Sequence, residues 1–410
     1  MQNNQSKISL NKTGLESFVK SKVFCYLVPF AVLTAYLIYV IAEGKMQTYD
    51  NYYTMHYLWN YDRGFISRGL VGEVISWFVD KVSPTVMTVV STIGSLLLIA
   101  SSSLCIGSAL DKTRDNPDVY RNVTVLLVII STLPFTFSAY LSSMSHDKFF
   151  WAVALFAVYL SQNKLGIWFT PVLCVLATLI NPLFLLGSML LVAIVLLNEC
   201  FESGFSAKNI IVCAVAYIGM IAIGVYSVVG AYPDFADARE MAHYFAERYS
   251  EPVPEAVIID LADNYLMDFF EKKSAEFIFA EQFKLFFIGW GRGLKMVFNA
   301  LFFSLPACVF LGAFWIKVIK AEEKKFGKFI FFLCGATMAA ALVFTVLAAW
   351  SFTQYIAYSF IVQLGLILYF LAKKNEAVVT VTGKIADFCK NHIVFAAAAV
   401  AYVAIFIIKH

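Results

Sequence analysis

Apolar runs alternate with short polar breaks along almost the whole chain, at the spacing of membrane-crossing helices. The first run, Val23 to Ala42, carries no charge. At ~1.5 Å per residue it is long enough to cross a hydrocarbon core of about 30 Å. It is too long for a signal-peptide core, and no small-residue cleavage site follows, so it predicts a retained anchor. Further runs near 85–109, 123–142, 149–161, 166–180, 183–198, 209–231, 296–316, 329–349, 356–372 and 393–408 extend the pattern. Together they predict an all-α, polytopic helical membrane protein of about eleven transmembrane helices, within a range of nine to twelve, forming one integral domain over 1–410. Between 165 and 199 the apolar stretch is broken only by Asn181-Pro182. Proline removes a backbone donor and pushes its predecessor out of the helical region, so a tight turn is expected there.

Two longer polar segments interrupt the pattern, 43–83 and 232–295. Lysines decide which side they occupy, because Lys and Arg, and not net charge, track the cytoplasmic face. Placing the N-terminus inside puts Lys7, Lys12, Lys20 and Lys22, the group Lys317, Lys320, Lys324, Lys325 and Lys328, and Lys373 with Lys374 in short inner loops. The two long segments then fall outside, as does the C-terminus if the number of spans is odd. A bacterial inner (cytoplasmic) membrane is the expected location. The second outer segment is acidic, and its PEAVIIDLADNYLMDFFEKKSAEFIFAEQF portion alternates apolar and charged residues at helical spacing. Amphipathic helices lying on the membrane surface are expected from it.

Composition narrows the class. The chain is 60% hydrophobic and only 14% charged over 410 residues, which excludes an ordinary soluble enzyme. A net charge of +3 is no more than the topology demands and makes no case for nucleic acid. The eight cysteines lie in apolar runs or inner loops, without CxxC or Cys/His metal spacing, so neither a disulfide framework nor a cysteine metal site is expected.

In so apolar a chain, ionisable groups at one rim of the bilayer are the candidates for chemistry. Three groups map to the outer face: the loop YDNYYTMHYLWNYDRGFISRGL from Tyr49 to Leu70, the turn SSMSHDK from Ser142 to Lys148, and GWGRGLK from Gly289 to Lys295. Asp50, Asp62 and Asp147 are the candidate catalytic carboxylates, able to act as general base toward a hydroxyl. Arg63, Arg68, Arg292 and Lys295 are the candidate phosphate ligands, guanidinium groups suiting bidentate contact and Lys a point charge. Arg63 and Arg68 are five apart and share one ligand only if the backbone bends, for which Gly64 is placed. Tyr52, Tyr53 and His146 complete the candidate binding set, although Tyr and Trp also gather at membrane interfaces whatever the function.

This order of motifs resembles the GT-C class of polytopic membrane glycosyltransferases. Members place an essential aspartate in the first outer loop, often followed by spaced aromatics, and a second acidic site in the next one. The matching residues are Asp50 with Tyr52 and Tyr53, or Asp62 in NYDRGFISRGL, and then Asp147 in SHDKFF, with Arg292 and Lys295 resembling the later basic loop. The frequent Asp-Glu pair is Asp50-Asn51 here, so Asp50 and Asp62 stay rivals for the base. Size, odd span count and outside C-terminus also resemble bacterial and phage glucosyltransferases that decorate O-antigen. The resemblance implies transfer of a sugar from a polyprenyl-phosphate donor to a lipid-linked or cell-surface glycan, among membrane lipids. It implies no certain cofactor; a divalent metal at Asp147 and His146 has too few ligands to assign. The competing readings are an O-antigen or capsule polymerase and a flippase or transporter of lipid-linked saccharide. The second is disfavoured because the predicted spans hold almost no charge.

Overall fold

The fold is described from a computed structural model covering residues 18, 21–43, 51–66, 68–116, 120, 123, 141, 144–181, 188–229, 234–266, 290–347, 352–394 and 397–398. The described secondary structure is helical, with one isolated parallel bridge between Val82 and Tyr249. In chain order the helices are α1 (Lys22–Ala42), α2 (Asn51–Leu58), α3 (Leu70–Ser76), α4 (Pro84–Thr113), α5 (Asp147–Ser161), α6 (Thr170–Ile180), α7 (Ser188–Glu202), α8 (Ala207–Val229), α9 (Ala238–Arg248), α10 (Glu255–Leu261), α11 (Trp290–Ala321), α12 (Lys325–Leu347), α13 (Phe352–Ala372) and α14 (Glu376–Asn391).

The expected count of about eleven membrane-crossing helices is not met. Among the described residues three helices are long and apolar enough to cross, Lys22–Ala42, Pro84–Thr113 and Ala207–Tyr226. A fourth is reached only if Ala357–Ala372 and Glu376–Phe388, bent by 110° at the break between them, count as one broken span. Part of the physical reason is visible in the middle of the chain. Of the run expected at 183–198 only the part from Ser188 is described, in α7; the runs at 149–161 and 166–180 fold as helices, but α5 has only 15 residues and α6 only 11. At 1.5 Å per residue they reach about 22 Å and 17 Å, short of a core of about 30 Å. Hydrophobic content alone counted them; length does not. The runs at 123–142 and 393–408 lie almost wholly outside the described residues.

Local chemistry fixes the ends of the elements. Ser21 caps α1 by accepting from the Phe24 amide at 3.1 Å, and Ser83 caps α4 by accepting from Val86 at 3.2 Å, with Pro84 in the first turn. α6 stops at Ile180, and Asn181 is extended (φ −155°, ψ 117°), as its neighbour Pro182 demands. α4 is the spine of the bundle, packed against α1, α5 and α13. It can be so because it is rich in small residues: Ser102 and Ser103 fold back onto the carbonyls of Leu98 and Ile99, at 2.6 and 2.7 Å, and expose no unmet hydroxyl to their neighbours. Gly107 faces the Tyr26 ring so closely that an added Cβ would lie 2.2 Å from it.

A second group, α11, α12 and α13, is locked by Gln363. Its amide nitrogen donates to the Cys334 carbonyl at 3.0 Å and the Thr337 hydroxyl at 2.7 Å, and its oxygen accepts from the Trp315 indole. Beyond the sharp bend α14 buries Ala377, Val378, Val381, Thr382 and Ala386 and exposes Lys384, Asp387 and Lys390, an amphipathic face packed on α11.

The two polar segments meet at one end of the bundle. Val82 donates to the Arg248 carbonyl at 2.7 Å and Ser250 donates back to Val82 at 3.1 Å. The amphipathic helix α9 buries Met241, Ala242 and Phe245, with Phe245 beside Trp59. α9 precedes the stretch from Pro254 for which surface helices are expected; of that stretch only the part to Leu266 is described, where α10 buries Ile258 and Leu261.

Candidate functional site: a buried ionisable cluster at the loop end

The cluster begins with backbone shape. After α2 the chain turns through Gly64 (φ 96°) and Arg68 (φ 70°), both in the left-handed region. For arginine this is a costly conformation, of order 1–3 kcal/mol, held only when its surroundings require it. The return path packs α3 onto the backbone of α2 and its continuation: a Cβ at Gly72 would sit 1.9 Å from the Trp59 carbonyl oxygen, so only glycine fits. The result turns Arg68 inward. Its Nη1 donates to His56 Nε2 at 3.1 Å. Because arginine cannot accept, this contact requires a neutral His56 with its proton on Nδ1. Burial first, then Arg68 and then His146, hold the His56 pKa well below its ordinary value.

From the other segment comes the head of α5. His146 lies against His56, with ring centroids 5.5 Å apart, and edge-on to Tyr57 at 4.2 Å. The Tyr57 hydroxyl is anchored separately, on the Met144 carbonyl at 2.8 Å. His146 is only 4% exposed, and neither ring nitrogen has a hydrogen-bond partner. Burial, followed by the charges of Lys148 and Arg68, pushes its pKa down to about 3.

Asp147 opens α5 and is 2% exposed. Its Oδ1 accepts from Asn181 at 2.6 Å, its Oδ2 accepts from the Tyr358 hydroxyl at 2.7 Å, and its amide donates to Ser145 Oγ at 3.2 Å. Burial raises its pKa; Tyr358, Arg68, Asn181 and Ser145 each pull the other way. None of these three shifted groups lies on a spanning helix. Beside them Lys148 is completely buried, its ammonium donating to the Ser91 carbonyl at 3.2 Å, Ser91 Oγ at 2.7 Å and Ser95 Oγ at 3.1 Å on α4. All three of its donors are thus used.

The remaining sequence candidates separate from this cluster. Asp62 is exposed and accepts from Asn60 and from the Tyr244 hydroxyl, the latter at 3.1 Å. Arg63 pairs with Glu240 at 2.7 Å and lies over the rings of Phe235 at 5.1 Å and Tyr244 at 5.4 Å. Both therefore clasp the first loop to α9. The bend at Gly64 exists, but it sends Arg63 and Arg68 to different partners instead of one shared ligand. Asp50 lies outside the described residues. Tyr52 and Tyr53 are on α2, and Arg292 and Lys295 in the first turns of α11, but their side chains also lie outside the description. Among the described residues no three His, Cys, Asp or Glu side chains converge as metal ligands.

Sequence reasoning found Arg68, His146 and Asp147 and missed their partners. His56 stood inside the aromatic stretch, overshadowed by its tyrosines. Asn181 read as a helix-ending turn residue. Tyr358 had no signal, as it sits in an apolar run 211 residues from the carboxylate it serves.

Chemically, the cluster offers a positioned carboxylate, a guanidinium and a neutral imidazole with both nitrogens unused, in a dry setting where each interacts strongly. Of the comparisons with known proteins, one gives a match: a family described as "Uncharacterised membrane protein Rv1490" matches residues 25–268. That is more than half of the chain, which therefore belongs to this family. The match contains every residue of the cluster except Tyr358. No curated protein and no solved structure matches.

Proposed function

We propose that this member of the Rv1490 membrane-protein family is a glycosyltransferase of the GT-C kind, moving a sugar from a polyprenyl-phosphate donor to a lipid-linked or cell-surface glycan. Its work is done at the outer face of a bacterial inner membrane. One observation carries the reading: the buried His56, His146 and Asp147 and the half-buried Arg68 come from two segments separated by a long helix, yet meet at the loop end. Burying ionisable groups is costly unless something offsets it, which favours a functional reason for gathering three of them beside a guanidinium.

Arg68 supplies the positive charge for a donor phosphate, whose departure needs charge stabilisation more than protonation. Asp147, oriented by Asn181 and Tyr358, orients the acceptor hydroxyl and receives its proton, alone or with Asp50. His146 supplies a donor and an acceptor to sugar hydroxyls. Asp62, tied to Tyr244, holds the loop in place and takes no part in proton transfer.

The test is genetic and chemical. In a strain deleted for this protein and complemented with variants made at wild-type level, lipid-linked and surface glycans are typed by mass spectrometry. Asp147→Asn is expected to reduce transfer about 100-fold or more, at the scale of a lost general base, while Asp62→Asn retains it. An unchanged glycan in Asp147→Asn overturns the reading.

A further inference from the structure

A different seam of the bundle carries a chemistry that the proposed transfer does not use. α7 and α8 run side by side across the turn at Ser203–Ser206, where Gly204 (φ 64°) and Phe205 (φ 58°) reverse the chain. Every fourth residue of α8 reaches across it. Asn209 Nδ2 donates to the Glu199 carbonyl at 3.0 Å, Cys213 Sγ to the Leu196 carbonyl at 3.4 Å, and the Tyr217 hydroxyl to the Ala193 carbonyl at 2.8 Å. This polar stripe fixes the register of the two helices. It brings Cys213 Sγ to 3.1 Å from Cys200 Sγ, and both thiols are free.

We propose that Cys200 and Cys213 are a redox-active dithiol, a modification site that closes reversibly to a disulfide. The geometry asks little of the fold, since a bond of ~2.05 Å requires the two sulfurs to approach by about 1 Å. Cys213 is half-buried and meets the oxidant; Cys200 is 4% exposed and resolves it. With hydrogen peroxide as oxidant, the Cys213 sulfur attacks one peroxide oxygen, the O–O bond breaks, and a sulfenic acid and one water form. The Cys200 sulfur then displaces the hydroxyl from Cys213, the S–S bond forms, and a second water leaves. Two thiols lose two electrons and two protons, and one peroxide is reduced to two waters.

The placement gives the bond a consequence. Cys200 sits between Glu199 and Glu202, whose carboxylates each lie 2.9 Å from the Lys373 ammonium just before the bend from α13 into α14. Closing the disulfide staples α8 to the turn of α7 that carries these carboxylates.

The experiment uses the full-length protein in lipid nanodiscs, exposed to hydrogen peroxide, unfolded in SDS with N-ethylmaleimide, and weighed intact. The adducts are expected to fall from eight to six. Peptide mapping should then join Cys200 to Cys213, and dithiothreitol should restore all eight. In Cys213→Ser and in Cys200→Ser no pair of adducts is lost. Eight adducts after oxidation, a linkage between other cysteines, a loss without an S–S linkage, or the same loss in the serine variants each overturns the proposal. The outcome is independent of whether the loop-end site transfers sugar.

Discussion

Two of the polar clusters among the described residues, the one around Lys373 and the one at the loop end, are built on opposite principles. Near the α7 terminus, Lys373 pairs with both Glu199 and Glu202, the Tyr369 hydroxyl donates to Glu199 at 2.7 Å, and Asn198 donates to Glu202 at 3.0 Å and Tyr369 at 2.9 Å. Donors and carboxylates there are matched, and the network ties α7 to α13. At the loop end, Asp147 accepts from the uncharged Asn181 and Tyr358 and feels the charge of Arg68, Lys148 spends its charge on serines, and neither nitrogen of His146 has a hydrogen-bond partner. A closed network of this kind serves the fold. A buried histidine without a partner costs stability, and the cost makes sense where a ligand supplies what is missing.

Substitutions should separate the two clusters. The largest effect is expected from Arg68→Gln, which removes the cation facing both His146 and Asp147: transfer, followed by glycan mass spectrometry, should fall about 100-fold, on the scale of a lost charge-stabilising donor. Folding, followed by thermal melting, should change far less. Lys373→Met should do the reverse. Leaving Glu199 and Glu202 without their shared cation should cost about 2 kcal/mol of stability, as expected for hydrogen bonds between charged groups, measured by denaturant unfolding in detergent. Transfer per folded molecule should be unchanged.

Acid provides a third, smaller separation. His146 resists protonation in the fold, with a pKa of about 3 against an ordinary 6.5. Between these values the unfolded chain binds more protons than the folded one, so stability is lost as pH falls through 6.5 towards 3. Melting temperatures at pH 7.5 and pH 5 should therefore differ, and His146→Gln should narrow the gap; an equal gap in the variant would show that His146 does not drive it. The smallest effect should come from Arg63→Ala. Its pair with Glu240 is exposed and contributes little to global stability. The expected result is an unmoved melting point with faster proteolysis of the 234–266 segment.

What was legible in the sequence follows the range of the interactions. Helical character, the end of α6 before Asn181 and the bend at Gly64 depend on local pattern, and they appear in the structure. The number of crossing helices did not follow, because apolar composition does not separate a span from a helix of 11 or 15 residues packed inside a bundle. The partner of Arg63 was hidden for a related reason. Glu240 is 177 residues distant, and nothing near Arg63 announces it. Tyr358 was out of reach in the same way: a hydroxyl in an apolar run says nothing of which carboxylate it will find.

The contacts that hold the first loop in place also set a timetable for biogenesis. Arg248 donates to the Leu58 carbonyl, and Val82 bonds to the backbone of Arg248 and Ser250. His56 and Arg68 therefore lie in a loop that stays unbraced until translation has passed residue 250. The bracing segment must also emerge on the same side of the bilayer, so a mis-inserted α4 or α8, the two helices long and apolar enough to cross between the loop and α9, would deliver α9 to the wrong compartment. The chain would still be made and still be helical. The site would be missing its clamp.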